Sequence, residues 1–146
     1  MLIEAAISMT LLGVLGLTLL KLSLNVTAPR QWTLQQSITD AYLTYEKAAA
    51  QRATFDEITG PGSLWPAQPA ISKTEVELGR LPGGQRIMGT VTRTRFPDSN
   101  NLSGKSGSGT DVTNPARMEV WRLQSVISYS LGGRTYLKSR TVIRSQ

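Results

Sequence analysis

The chain of 146 residues contains no cysteine and no histidine. The first absence excludes disulfides, and the two together exclude a zinc site of the cysteine and histidine kind. Without histidine the commonest general base is gone as well. Lack of cysteine leaves the compartment open, since exported proteins do without it too. Nothing in the order of residues sets a nucleophile beside a base and an orienting group. The glycine-rich stretches "LPGGQ" and "GKSGSG" lack the strand, GxxxxGK[ST] and helix order of a phosphate loop. The chain therefore reads as non-enzymatic, with no cofactor and no metal expected.

What charge there is leans one way, with a formal net charge of +6. Residues 1–28 hold only Glu4 and Lys21, so the whole excess lies in residues 29–146. Such a balance suits contact with nucleic acid, anionic lipid or an acidic surface polymer, and it equally suits a well-solvated basic surface.

From Ala5 to Leu20 no residue is charged, and Ser8, Thr10 and Thr18 can bond back to helix carbonyls. A spanning helix needs roughly 20 apolar residues, which residues 1–20 supply, or 1–24 if Lys21 snorkels. The segment has no basic n-region and no clean small-residue cleavage site, so a removed signal peptide fits poorly. It is apolar all round, so a buried helix of a soluble protein fits poorly too. Gly13 and Gly16 are the places where such a helix extends most easily. Glu4 is the oddity: a carboxylate at the edge of a membrane-length segment is costly, although a place at the headgroup level, favoured by the helix dipole, would account for it in any membrane anchor.

"LIEAAISMTLLGVLG" resembles the mature N-terminus of type IV pilins and type II secretion pseudopilins over about the first 24 residues. Leu2, Ile3, Glu4 and the run from Ala5 to Leu20 match, with Met1 standing where threonine is usual. The resemblance implies an N-methylated aromatic residue and a basic leader ending in glycine ahead of Met1. It also implies that Glu4 pairs with the N-terminal amine of a neighbouring subunit, because a lone carboxylate in an apolar filament core costs several kcal/mol. Leu2, Ile3, Ala5, Ile7, Leu11, Leu12, Gly13, Leu15 and Gly16 would then join Glu4 as assembly residues. The implied partners are further copies in a helical homopolymer, a prepilin peptidase, the pilus assembly machinery and the bacterial inner membrane before assembly. The implied final location is an extracellular pilus, or a periplasmic pseudopilus for a secretion pseudopilin or minor pilin. A plain signal-anchored binding protein is a further reading, but it has no need of Glu4.

The fold expected is α+β: a long N-terminal helix, apolar and then amphipathic, packed on a C-terminal antiparallel sheet. Residues 1–28 are the membrane or filament-core helix and 29–146 the head. After Asn25, Val26 and Thr27, Pro29 should kink the helix or start a new one. An amphipathic helix over 30–56 follows, with Leu34, Ile38, Ala41, Tyr45, Ala49 and Arg52 on an inward stripe that Tyr42, Ala48 and Phe55 widen, and with Gln35, Thr39, Lys47 and Gln51 outward. Trp32, Tyr42, Tyr45 and Phe55 read as core packing. Residues 59–72, with "TGPGSLWPAQP", form an exposed loop. Strands are expected over 73–78, 85–95, 118–131 and 134–144, with Gly89 a bulge and Gly132–Gly133 a tight hairpin.

On the third strand, Trp121, Leu123, Ser125, Ile127, Tyr129 and Leu131 should share one face. Residues 97–115 read as a flexible excursion. Its Asp98, Asn100, Asn101 and Asp111 are the oxygen ligands calcium takes, yet two carboxylates in a basic head make a poor site. Arg134, Lys138, Arg140 and Arg144 form an outward basic stripe if they alternate together. Such a stripe fits DNA or an anionic surface, or a guard against unwanted strand addition.

Overall fold

The structure, a computed structural model, describes residues 2–81 and 84–146, the side chains of residues 2 and 24–28 excepted. The expected positions Met1, Pro82 and Gly83, and the side chains of Asn25, Val26 and Thr27, lie outside the described set. Helix α1 runs Leu2–Arg52 and helix α2 Phe55–Thr59; the strands are β1 Ser72–Arg80, β2 Arg86–Pro97, β3 Val120–Leu131 and β4 Arg134–Ser145. The chain divides into two compact units, Met1–Gln36 and Ser37–Gln146. The α+β architecture is the expected one. The sheet is a meander in the order β1-β2-β3-β4, each neighbouring pair antiparallel.

Pro29 does not end the helix: it lies inside α1, and Thr33 Oγ1 donates to its carbonyl at 3.0 Å. The break comes later, where residues 30–56 were expected to be continuous. α1 stops at Arg52, and Thr54 opens α2 with a capping box in which the Glu57 carboxylate accepts from Thr54 N at 2.7 Å. The Thr54 hydroxyl accepts from Glu57 N in return. This reciprocal pairing satisfies donors that would otherwise be orphaned at a new helix start.

The part of α1 that belongs to the second unit, residues 37–52, lies on the sheet, but with a face different from the one periodicity picks out. Leu43 and Ala50 are buried among apolar neighbours, and Thr39 and Glu46 are buried beside them. Leu34 and Tyr45, expected inward, are exposed, as is Trp32. Of the four aromatics read as core packing, only Tyr42 and Phe55 pack against the core clusters. The sheet decides this offset by supplying partners for polar side chains: the Tyr129 hydroxyl bonds Thr39, and β2 and β3 satisfy Glu46.

Two apolar clusters fill the space between helix and sheet. One joins Leu43 to Leu78, Ile87, Val91, Ile127 and Tyr129; the other joins Ala50 and Ile58 to Trp65, Trp121, Leu123 and Val142. The inward row of β3 from Trp121 to Tyr129 is as expected. The Gly132–Gly133 hairpin forms with positive φ at both residues, 58° and 75°. Gly89 is not a bulge. It pairs regularly with Val76 and Tyr129, while the register shift sits on β1 between Glu77 and Gly79. A side chain at Gly89 would lie 2.7 Å from Leu78 Cδ1, so the glycine makes room for that leucine. The stretch 59–72 is not simply an exposed loop, for Trp65 is buried within it and Ala67 bridges to Arg95.

Between the clusters runs a buried polar network. Arg93 donates through Nε and Nη2 to both Glu46 oxygens at 2.6 and 2.7 Å, and through Nη1 to Thr74 at 2.9 Å. Ser125 Oγ donates to Glu46 Oε2 at 3.1 Å and accepts from the Trp65 indole at 3.0 Å. The side chains of Arg93 and Glu46 are 7% and 4% exposed, so removing one charge strands the other in a dry interior. Arg93→Met or Glu46→Gln alone is expected to cost about 3–5 kcal/mol in urea unfolding of the detergent-held full chain. The pair Glu46→Leu with Arg93→Met should recover most of that loss, since no charge is then left unpaired. A double variant no more stable than the singles would show that the pair does more than neutralise itself.

Candidate functional site

The first unit offers a helix with nothing packed on it. Ile3–Ser23 spans 21 residues at a mean hydropathy of 1.9, with none of its apolar window buried. At 1.5 Å per residue it measures roughly 31 Å, about the thickness of a bilayer's hydrocarbon core. It is therefore long and apolar enough to cross a membrane. Ile3, Ile7, Leu11, Leu12 and Leu15 are all more than half exposed, and together with the equally exposed Met9, Leu17 and Leu20 they reach every side of the helix. Ala5 is exposed, and nothing stands within 4 Å of where a Cβ would sit on Gly13 or Gly16. The side chain of Leu2 is outside the described set. Two hydroxyls of the segment turn onto the helix itself: Thr10 Oγ1 donates to Ala6 O at 2.7 Å, and Thr18 Oγ1 to Val14 O and Leu15 O at 3.0 and 2.8 Å. Each hydroxyl so bonded removes one reason to stay in water. Glu4 lies in the first turn, where the helix dipole favours a carboxylate.

The basic stripe on β4 is placed otherwise than expected. Lys138, Arg140 and Arg144 do share a face with Arg134, but it is the helix-facing side of the strand, alternating with exposed Leu137, Ser139, Thr141 and Ile143. Lys138 Nζ lies 2.9 Å from Asp40 Oδ1. Arg144 reaches under the end of α1, where Nη1 donates to the Ala50 and Gln51 carbonyls and Nη2 to Ala53 O at 2.9 Å. It thus serves as the cap of α1, meeting carbonyls that the helix leaves unpaired. Arg140 is half-buried, and only Arg134, beside the hairpin, is exposed. The outward stripe does not form: Asp40 draws Lys138 inward and the carbonyl end of the helix draws Arg144.

Two further arginines that sequence reading passed over are held in the same way. Arg93 pairs with Glu46 as described. Arg95 donates to the carbonyls of Ile58, Trp65 and Thr59 at the end of α2, with its guanidinium 5.0 Å from the Trp121 ring centre. The only signal for them in the sequence is their alternation with threonines in "TVTRTR", which puts them on one face.

Residues 97–115 were expected to be flexible, and instead they fold into a hydrogen-bonded loop. Asn101 is completely buried: its amide donates to Val120 O at 2.9 Å while its carbonyl accepts from Val120 N at 2.9 Å. A Cβ on Gly107 would stand 2.0 Å from Asn101 O, so the backbone can close over the asparagine only with glycine there. Three of the four calcium candidates are otherwise engaged. Asp98 accepts from Asn100 N at 3.0 Å, Asp111 pairs with Arg117 at 3.1 Å, and Asn101 is spent on β3. Among the described residues no group of three or more acidic side chains comes together to hold a metal.

No family model, no curated protein and no solved structure matches this chain.

Glu119, just before β3, fastens this loop: Lys105 Nζ lies 2.9 Å from its Oε2, and the Trp121 indole donates to its Oε1 at 2.7 Å. Burial pushes its carboxyl up, but the Trp121 and Lys105 hydrogen bonds and the nearby cations Lys105 and Arg95 outweigh burial and hold it below the usual range. A depressed folded value means that its contribution is fully present above the unfolded pKa of about 4.3 and is lost as pH falls through the folded value. Amide protection factors in residues 98–119, corrected for the intrinsic exchange rate, should therefore fall below about pH 4, ahead of the strands, and Glu119→Gln should remove that acid dependence. Equal acid sensitivity in the variant would assign the effect to another group.

Proposed function

We propose that this chain is a structural subunit of a pilus-type filament, anchored first in a bacterial inner membrane and then polymerised through its N-terminal helix. The observation that carries this reading is the helix Ile3–Ser23: apolar on all sides, unburied within its own chain, and bearing one carboxylate in its first turn. A bilayer would cover such a surface, and so would a bundle of identical helices. Only the bundle gives Glu4 a task, because an apolar bundle demands a partner for a buried carboxylate. The resemblance of "LIEAAISMTLLGVLG" to pilin N-termini supplies that partner as the N-terminal amine of the next copy. The pairing then sets the stagger between copies, since any other register leaves two charges unneutralised. The folded second unit would be the part displayed on the filament, serving adhesion or motility.

The expected outcome of Glu4→Ala or Glu4→Gln is a chain that still inserts in the membrane but enters sheared filaments at least tenfold less. One buried charge without its partner costs about 3–5 kcal/mol, and tenfold corresponds to about 1.4 kcal/mol. Intact-mass measurement and electron microscopy of the sheared material check this together. Processed chain that stays out of sheared fibres would point instead to a short periplasmic assembly, as in type II secretion. Full incorporation of both variants would remove Glu4 from assembly.

A further inference from the structure

The side of the sheet away from the helix is laid out in rows by strand register. Phe96, Arg122 and Ile143 lie across β2, β3 and β4 in one row, and Thr94, Gln124 and Thr141 in the next. Phe96, Arg122, Gln124 and Thr141 line a depression of about 250 Å³. The guanidinium here stands apart from most others in the second unit. Arg93, Arg95 and Arg144 are held by buried partners, Arg80 and Arg86 by Glu77, and Arg117 by Asp111. Arg122 is exposed, its cross-strand neighbours are Phe96 and Ile143, and among the described residues no carboxylate pairs with it.

The lining dictates the ligand. One unopposed guanidinium takes one anionic group, and its fork fits a carboxylate in bidentate fashion. An amide and a hydroxyl, each both donor and acceptor, suit a ligand dense in hydroxyls. Phe96 adds an apolar wall for a ligand that also has a C–H surface. The volume lies below the roughly 300–1,000 Å³ of sites for drug-sized ligands, so a single ring fits. A nucleic acid strand would ask for a line of cations along its backbone, and the depression offers one.

We propose that this face of the sheet binds a carboxylated sugar unit of an acidic polysaccharide. Arg122 pairs with the carboxylate, Gln124 and Thr141 bond ring hydroxyls, and Phe96 meets the ring. The inference stands on the second unit's own geometry and does not depend on the filament reading. A single ring on an exposed ion pair binds weakly, with a Kd of about 1 mM.

The test is titration of digalacturonate into the isotope-labelled full chain in detergent micelles at low salt, followed by backbone amide shifts. Saturable shifts are expected at Phe96, Arg122, Gln124 and Thr141. Arg122→Gln should weaken binding about three- to fivefold, with Lys47→Gln, a cation on α1, as the unaffected control and unchanged unfolding midpoints in both. Neutral cellobiose should bind more weakly than digalacturonate by a similar factor. Sialyllactose in place of digalacturonate separates a sialic from a uronic acid source. The proposal falls if no saturable shift occurs at these four amides, if cellobiose binds equally, or if Lys47→Gln loses as much as Arg122→Gln. It also falls if Arg122→Gln alters sedimentation and not sugar binding, since the face would then be a contact between copies.

Discussion

One ion pair, Glu46 with Arg93, sets the terms for the folded unit. Two opposite charges in a dry interior are tolerated only when their geometry is close and their remaining valences are filled. Filling them draws in every layer. Glu46 comes from α1, Arg93 from β2, Thr74 from β1 and Ser125 from β3, while Trp65 from the connecting loop closes the chain of hydrogen bonds. A slip of β1, β2 or β3 by one residue would turn one of these groups to the other face and break the network around the buried charges. The apolar clusters on either side are less demanding, because apolar contacts are not directional. The polar network therefore fixes register, and the clusters supply the bulk of the burial.

The same logic governs the cations. An excess of +6 invites the picture of a basic surface, yet several arginines are building parts of the interior. Arg93 neutralises a carboxylate, and Arg95 and Arg144 close the carbonyl ends of α2 and α1. A helix end leaves four carbonyls without partners, and a long side chain with five donors is an economical way to reach them. The charge left for outside contact is smaller than the composition implies, and Arg122 belongs to it.

The first unit lives by opposite rules. Its span Ile3–Ser23 buries no side in its own chain, so its stability as a helix rests on internal hydrogen bonds and on whatever apolar medium surrounds it. Thr10 and Thr18 fit that condition by turning their hydroxyls onto the backbone. Glu4, in its first turn, carries a charge that an apolar surrounding opposes, which is why the proposed assembly turns on it.

How much could be read beforehand divides along the range of the interactions. The apolar span, the strands and the Gly132–Gly133 turn were legible because each depends on neighbours in sequence: a run of leucines, a period of two, a pair of residues free to take positive φ. The inward face of α1 was not. Periodicity favoured Leu34, Ala41 and Tyr45, while the sheet selected Thr39 and Glu46, whose partners lie as far as 79 residues along the chain. The loop over 97–115 looked flexible for the same reason, since its small polar composition gives no hint that Asn101 bonds both backbone groups of Val120. Sequence alone thus determined which segments are helix and strand and that one helix seeks an apolar surrounding. Tertiary structure alone decided which polar side chains go inside and which cations stay out, because burying a polar group depends on a complementary partner that only the folded chain brings within reach.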